Sequence, residues 1–159
     1  MVSVLFICTA NRFRSPIAAI YFAREVVRRG DDGDIRVSSA GTWTEAGQPV
    51  TADAFTQANL YNINLSLHKS RPLTEDILKD SDLILVMENN HKEAILQEFP
   101  FCAERLYLLA EIATGIPKDI PDPYATEETP AVITKEIIAL IDQGYDQIIQ
   151  ILTNEQHES

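Results

Sequence analysis

The first thirty residues constrain the fold most. From Val2 to Thr9 the chain reads "VSVLFICT", an almost unbroken apolar run. A short run without alternation belongs to a strand covered by helices on both faces, as in a parallel sheet. A polar loop containing Arg12 and Arg14 follows, and Ser15-Pro16 then opens a helix. Serine suits the cap and proline the first turn, where its missing N–H removes no hydrogen bond. Ile17, Ile20, Tyr21, Val26 and Val27 recur at roughly helical spacing, and Gly30 ends the run.

The remaining chain repeats that alternation. Strands are expected over Asp34–Thr42, Asp82–Glu88 and Glu104–Ile112. Helices are expected over Val50–Asn62, after Thr74 as a cap, over His91–Phe99 and over Ala131–Leu152, with the last residues fraying. Residues 113–130, "ATGIPKDIPDPYATEETP", form a proline-rich loop too long to be mere connection. Strands alternating with helices predict an α/β fold, a three-layer sandwich with a mainly parallel four-stranded sheet and helices on both faces. At 159 residues, the chain is expected to form one domain over 1–159.

Charge and cysteine content exclude several classes. Thirteen basic against 24 acidic residues leave a net charge of −11, which argues against general binding to nucleic acid or an anionic membrane. A small basic pocket remains compatible with that balance. Two cysteines, Cys8 and Cys102, are too few for a disulfide scaffold and wrongly spaced for a zinc site. The N-terminal apolar run is short and lacks a basic lead-in, so no signal peptide or membrane span is expected and the cytoplasm is the expected compartment. No metal or other cofactor is expected.

The loop "CTANRFRS" ends the first strand, and in open α/β sheets ligands sit beyond the carboxyl ends of strands. A loop entering a helix turns its backbone N–H groups inward, and the helix dipole adds positive potential, so an anion is well received there. The Arg14 guanidinium is a planar fork that grips two oxygens of a phosphate. The same field favours a thiolate on Cys8, the nucleophilic form. A cysteine at a strand end is ordinarily a small buried hydrophobe; Arg14-Ser15-Pro16 beside it reverses that preference. Cys102, in "EFPFCAERL", has no such company and is expected to pack. A thiolate displacing an alcohol or phenol needs a proton donor for the leaving oxygen. Asp122, between two prolines in "PDPY", supplies a stiffly held carboxyl, although Asp-Pro alone is ordinary turn chemistry.

Taken together, Cys-x5-Arg-Ser over Cys8 to Ser15 and the late Asp122-Pro123-Tyr124 resemble the low-molecular-weight protein tyrosine phosphatases. "SSAGT", "HKSRPLT" and "DLILVME" resemble family segments in family order, so the likeness spans nearly the whole chain. The resemblance implies a metal-independent phosphatase that forms a phosphocysteine on Cys8. Arg14 and the loop through Thr9, Ala10, Asn11, Arg12, Phe13 and Ser15 would hold the phosphate oxygens, and Asp122 would act as acid and then base. It further implies that Ser15 donates to the nucleophile's sulfur, that Asn11 holds the loop in shape with Ser39 and His68 as partners, and that Tyr124 walls the cleft. Trp43 follows "SSAGT" directly and is a candidate for the same cleft, as is Arg12. Substrates would be phosphorylated proteins or small phosphomonoesters, with inorganic phosphate and similar oxyanions as product or inhibitors. The chain would be a monomer or weak homodimer, without nucleic-acid or membrane partners.

Two positions depart from the family pattern. Arg12 stands where tyrosine phosphatases usually carry an aliphatic residue and protein arginine phosphatases a threonine, so it would attract acidic substrates or an extra phosphate group, or simply restrict access. Phe13 stands where many members have a second cysteine able to protect the nucleophile as a disulfide, so oxidised Cys8 would need an outside thiol. Three other readings compete: a protein arginine phosphatase, a thioredoxin-linked arsenate reductase, and a non-catalytic phosphate-binding module. The second lacks the further cysteines it needs, and the third needs neither Cys8 nor Asp122.

Overall fold

The computed structural model describes residues 1–31 and 33–158. Its centre is a four-stranded parallel sheet in the order β2-β1-β3-β4, built from β1 (Val2–Cys8), β2 (Ile35–Gly41), β3 (Leu83–Val86) and β4 (Leu106–Leu108). The helices are α1 (Arg14–Arg28), α2 (Ala52–Leu60), α3 (Glu75–Lys79), α4 (Asn89–Glu98), α5 (Leu109–Thr114) and α6 (Pro130–Glu158), with a 3-10 turn over Pro100–Arg105.

The apolar run that opens the chain serves both faces of this sheet. Val4, Phe6 and Cys8 point into one core layer with α1 and α6, whereas Leu5 and Ile7 point into the other. Leu83 and Leu85 of β3 join the first layer, and Ile84 and Val86 the second. Period-two alternation with apolar residues at every position is what a doubly covered central strand requires. Both strands are fully buried along their length, which fixes their register and the height at which β1 ends.

Four expectations are corrected. The fourth strand is three residues long rather than Glu104–Ile112, because the chain turns directly into α5. Leu109 and Ala110 then bury in the first core layer, and a single neighbour, β3, offers this edge strand a ladder. Gly115, at φ 79°, ends α5 in the left-handed conformation that glycine adopts without strain. Helix α6 continues past Leu152 to Glu158; Ser159 lies outside the described residues. On α1, Ile17, Tyr21 and Val26 are buried, but Ile20 and Val27 face outward. Finally, Ser15 does not cap α1: Phe13 holds the N-cap position without a side-chain bond, and the Ser15 hydroxyl is used elsewhere. No helix among the described residues is long and apolar enough to cross a membrane.

Candidate active site

At the carboxyl end of β1, Cys8, Ala10, Arg12, Phe13, Arg14, Thr51, Asp122 and Tyr124 surround a cavity of about 150 Å³. Elements far apart in sequence meet here because the parallel sheet aligns the ends of all its strands. The backbone after β2 lies against the loop: Thr42 and Trp43 N–H donate to the carbonyls of Cys8 and Thr9, both at 3.0 Å. Gly41 permits that approach, since a Cβ at this position would stand 2.6 Å from the Thr9 carbonyl oxygen.

A continuous hydrogen-bond chain ends on the Cys8 sulfur. The buried Asn11 amide donates to Ser15 Oγ at 2.8 Å and to Ser39 Oγ at 2.9 Å. Its oxygen accepts the Arg71 N–H at 3.1 Å, so every polar atom of the side chain is used. Because Ser15 Oγ already accepts from Asn11, its own proton is free for Cys8 Sγ, 3.0 Å away. The Asn11 backbone N–H adds a second donor at 3.3 Å. Two donors aimed at one sulfur suit a negatively charged atom. Asn11 holds φ 57°, a left-handed conformation that its three side-chain bonds stabilise. His68 Nε2 donates to the Asn11 carbonyl at 2.8 Å, and burial lowers the His68 pKa, keeping the ring neutral.

Arg14 is buried and braced from behind. One terminal nitrogen, Nη1, donates to the Ile120 carbonyl at 2.8 Å and lies 3.4 Å from Glu88 Oε2. The rest of the fork makes no other hydrogen bond to the protein among the described residues. Beside it, His91 Nδ1 accepts the Glu88 N–H at 3.1 Å, so Nε2 carries the ring proton and donates to Thr9 Oγ1 at 2.8 Å. Burial, aided by the positive charge of Arg14, lowers the His91 pKa from 6.5 to about 4.

That shift sets a pH dependence of stability. Between pH 6.5 and 4 the unfolded chain takes up a proton on His91 that the folded chain refuses. The stabilisation is therefore complete above pH 6.5 and is lost as pH falls toward 4, with an upper limit of about 3 kcal/mol. Urea unfolding of wild type and His91→Gln between pH 7 and 4 checks this. Wild type should lose stability more steeply than the variant; parallel curves would contradict the assignment.

Asp122 reaches the cavity from the proline-rich loop, which is tied down two residues earlier. Ile120 is fully buried, its N–H donates to the Met87 carbonyl at 2.8 Å, and its carbonyl receives Arg14. Asp122 Oδ1 accepts the Tyr124 N–H at 2.9 Å, which orients the carboxyl and leaves Oδ2 without a protein partner among the described residues. The Tyr124 hydroxyl crosses to the start of α2, donating to Asp53 Oδ2 at 3.1 Å and pairing with the Thr51 hydroxyl at 2.8 Å. The Phe13 and Tyr124 rings meet edge to face, 6.1 Å between centroids, and form an apolar wall.

The structure thus gathers Cys8, Ala10, Arg12, Phe13, Arg14, Asp122 and Tyr124 on one cavity, with Thr9, Asn11, Ser15, Ser39 and His68 in its supporting bonds. Trp43 does not join them: its side chain is 85% exposed and the ring is not part of the cavity wall. Cys102 is fully buried in the opposite core layer, its thiol donating to the Phe99 carbonyl at 3.2 Å. Sequence reasoning missed Glu88, His91, Thr51 and the Ile120 carbonyl. The first two carried one available signal, a Glu-x-x-His at the carboxyl end of a central strand.

Comparison with known proteins agrees with this geometry. A protein-arginine-phosphatase of Bacillus subtilis (strain 168) is 33% identical over 121 residues, 76% of this chain and 79% of that protein. A putative low molecular weight protein-tyrosine-phosphatase of Klebsiella pneumoniae is 32% identical over 126 residues, 79% of this chain and 82% of that one. The crystal structure of a YwlE mutant from Bacillus subtilis shares the fold with a TM-score of 0.85 and 30% identity, covering 93% of this chain and 99% of that chain. The family described as low molecular weight phosphotyrosine protein phosphatase matches residues 3–158. A loop that aims two donors at one sulfur at the end of β1, and a match running almost from end to end, lead to one conclusion: the chain belongs to the low molecular weight phosphotyrosine protein phosphatase family.

Proposed function

We propose that this phosphatase hydrolyses phosphotyrosine, in proteins or small aryl phosphates, through a phosphocysteine on Cys8 and without a metal. The observation that carries the reading is the pair of donors on Cys8 Sγ, in a cavity that Arg14 and Asp122 also line. The thiolate attacks phosphorus in line, forming the S–P bond as the bond to the phenol oxygen breaks. Asp122 gives its proton to that oxygen, so the leaving group departs as a neutral phenol. The unbonded part of the Arg14 fork and the loop N–H groups hold the three equatorial oxygens, whose charge they stabilise most in the transition state. Asp122, now a carboxylate, takes a proton from water as that water attacks phosphorus. The S–P bond breaks, phosphate leaves, and Ser15 stabilises the departing thiolate.

Phosphotyrosine is favoured over phosphoarginine by the wall and the rim. The Phe13 and Tyr124 rings suit a flat aryl group. The cation of Arg12 disfavours a leaving group that itself carries a guanidinium.

Hydrolysis of p-nitrophenyl phosphate and of a phosphotyrosine peptide, in EDTA and with vanadate as inhibitor, tests the reading. Asp122→Ala should slow phenyl phosphate by about 10²-fold or more. It should slow an ester with a more acidic phenol much less, because that oxygen needs no proton. Equal slowing of both esters would remove Asp122 from the acid role. Faster turnover of phosphoarginine than of phosphotyrosine would overturn the substrate assignment.

A further inference from the structure

We infer that Arg12 is a specificity-determining residue that receives an acidic side chain next to the phosphotyrosine, so that the substrates are phosphotyrosines flanked by Asp or Glu. This inference rests on the phosphotyrosine reading above. Arg12 lines the same cavity as Cys8 and Asp122, at the position where the loop bends toward α2. Its Nε donates to the Pro49 carbonyl at 2.7 Å, and its own carbonyl accepts the Thr51 N–H at 3.0 Å. The side chain and backbone are thereby anchored to one segment, and much of the rotamer freedom of a long cation is already lost before a ligand arrives.

The two terminal nitrogens of the fork have no acceptor and no carboxylate partner among the described residues. Arg36, Arg71 and Arg105 also bind only backbone carbonyls, but none of them lines the cavity that holds Cys8; the remaining four are paired with carboxylates. Arg14 lies against Glu88, and Arg24, Arg28 and Arg29 gather on Glu25. In a chain with 24 acidic residues, an anchored cavity arginine left without one is complementary to a carboxylate brought by the ligand.

Three phosphotyrosine peptides that differ only in the adjacent residue, Glu, Ala or Lys, test this in wild type, Arg12→Gln and Arg12→Lys. The ratio of kcat/KM for the Glu peptide to that for the Lys peptide is read within each protein, so a general loss of activity in a variant does not affect it. Wild type should favour Glu about tenfold at low salt, mainly through KM, with the ratio shrinking as salt is added. Arg12→Gln should bring the ratio near one, and Arg12→Lys should retain part of it, as a point charge without the fork. A wild-type ratio near one, or an undiminished ratio in Arg12→Gln, overturns the inference. Equal acceleration of all three peptides by Arg12→Gln also overturns it, since Arg12 would then only obstruct the entrance. If neither the peptides nor p-nitrophenyl phosphate are turned over, the underlying phosphotyrosine reading fails. If p-nitrophenyl phosphate and the Ala peptide react but the ratio is flat, the role of Arg12 alone fails.

Discussion

Cys8→Ser is expected to lower p-nitrophenyl phosphate turnover by about 10⁴-fold or more while leaving the chain folded and able to bind phosphate. The oxygen of serine is smaller than sulfur, so it fits the same place, and it can accept from Ser15 and the Asn11 N–H as sulfur does. What it lacks is the nucleophilicity of sulfur, because a serine hydroxyl must lose its proton as the first bond forms, in the step where Asp122 serves as the acid. Thermal unfolding and phosphate binding measured on the same variant separate lost chemistry from lost structure. Activity within tenfold of wild type would show that phosphorus is attacked by another group.

Arg14→Ala should be almost as severe, lowering kcat by about 10³-fold. The guanidinium is buried, and its one braced nitrogen aims the remaining fork into the cavity. Its loss removes donors that are strongest when charge spreads over the equatorial oxygens, so kcat should fall more than KM rises. The variant also leaves Glu88 beside the site without its cation, adding an opposing charge near the phosphate. Arg14→Lys tests the geometry of the fork. It keeps the charge opposite Glu88 but loses the planar pair of donors, and should recover only a small part of the rate. Full activity in Arg14→Lys would show that charge alone suffices.

How much of this was legible beforehand depended on the range of the interactions. The central strands could be read because β3 is apolar at every position and β1 at every position but Ser3, a pattern a doubly covered strand requires. The boundary between β4 and α5 could not, because "LYLLAEI" is apolar with either period and packing of Leu109 and Ala110 decides it. Cys8, Arg14 and Ser15 flank one short loop between β1 and α1, where spacing alone brings them together. Ser15 nevertheless misled the local rule: a serine before proline at a helix start reads as a cap, yet the donor from Asn11 turns its proton toward sulfur. Asp122 was identifiable as a residue type in a stiff loop, but its tie through Ile120 to Arg14 spans 106 residues and leaves no local trace. His91 was equally hidden, since its significance comes from Thr9, 82 residues away. Trp43 shows the converse error, a large aromatic near the loop that ends up facing solvent.

The central claim is that phosphorus passes through a covalent bond to one sulfur. Acid or denaturant quenching of wild type within the first turnover of a phosphotyrosine substrate, followed by peptide mapping, examines that bond directly. The account predicts a phosphoryl group on the peptide containing Cys8, absent from Cys8→Ala and released to inorganic phosphate more slowly in Asp122→Ala. Turnover at the normal rate with no phosphorylated Cys8 peptide at any quench time, or with the label on another residue, would contradict it.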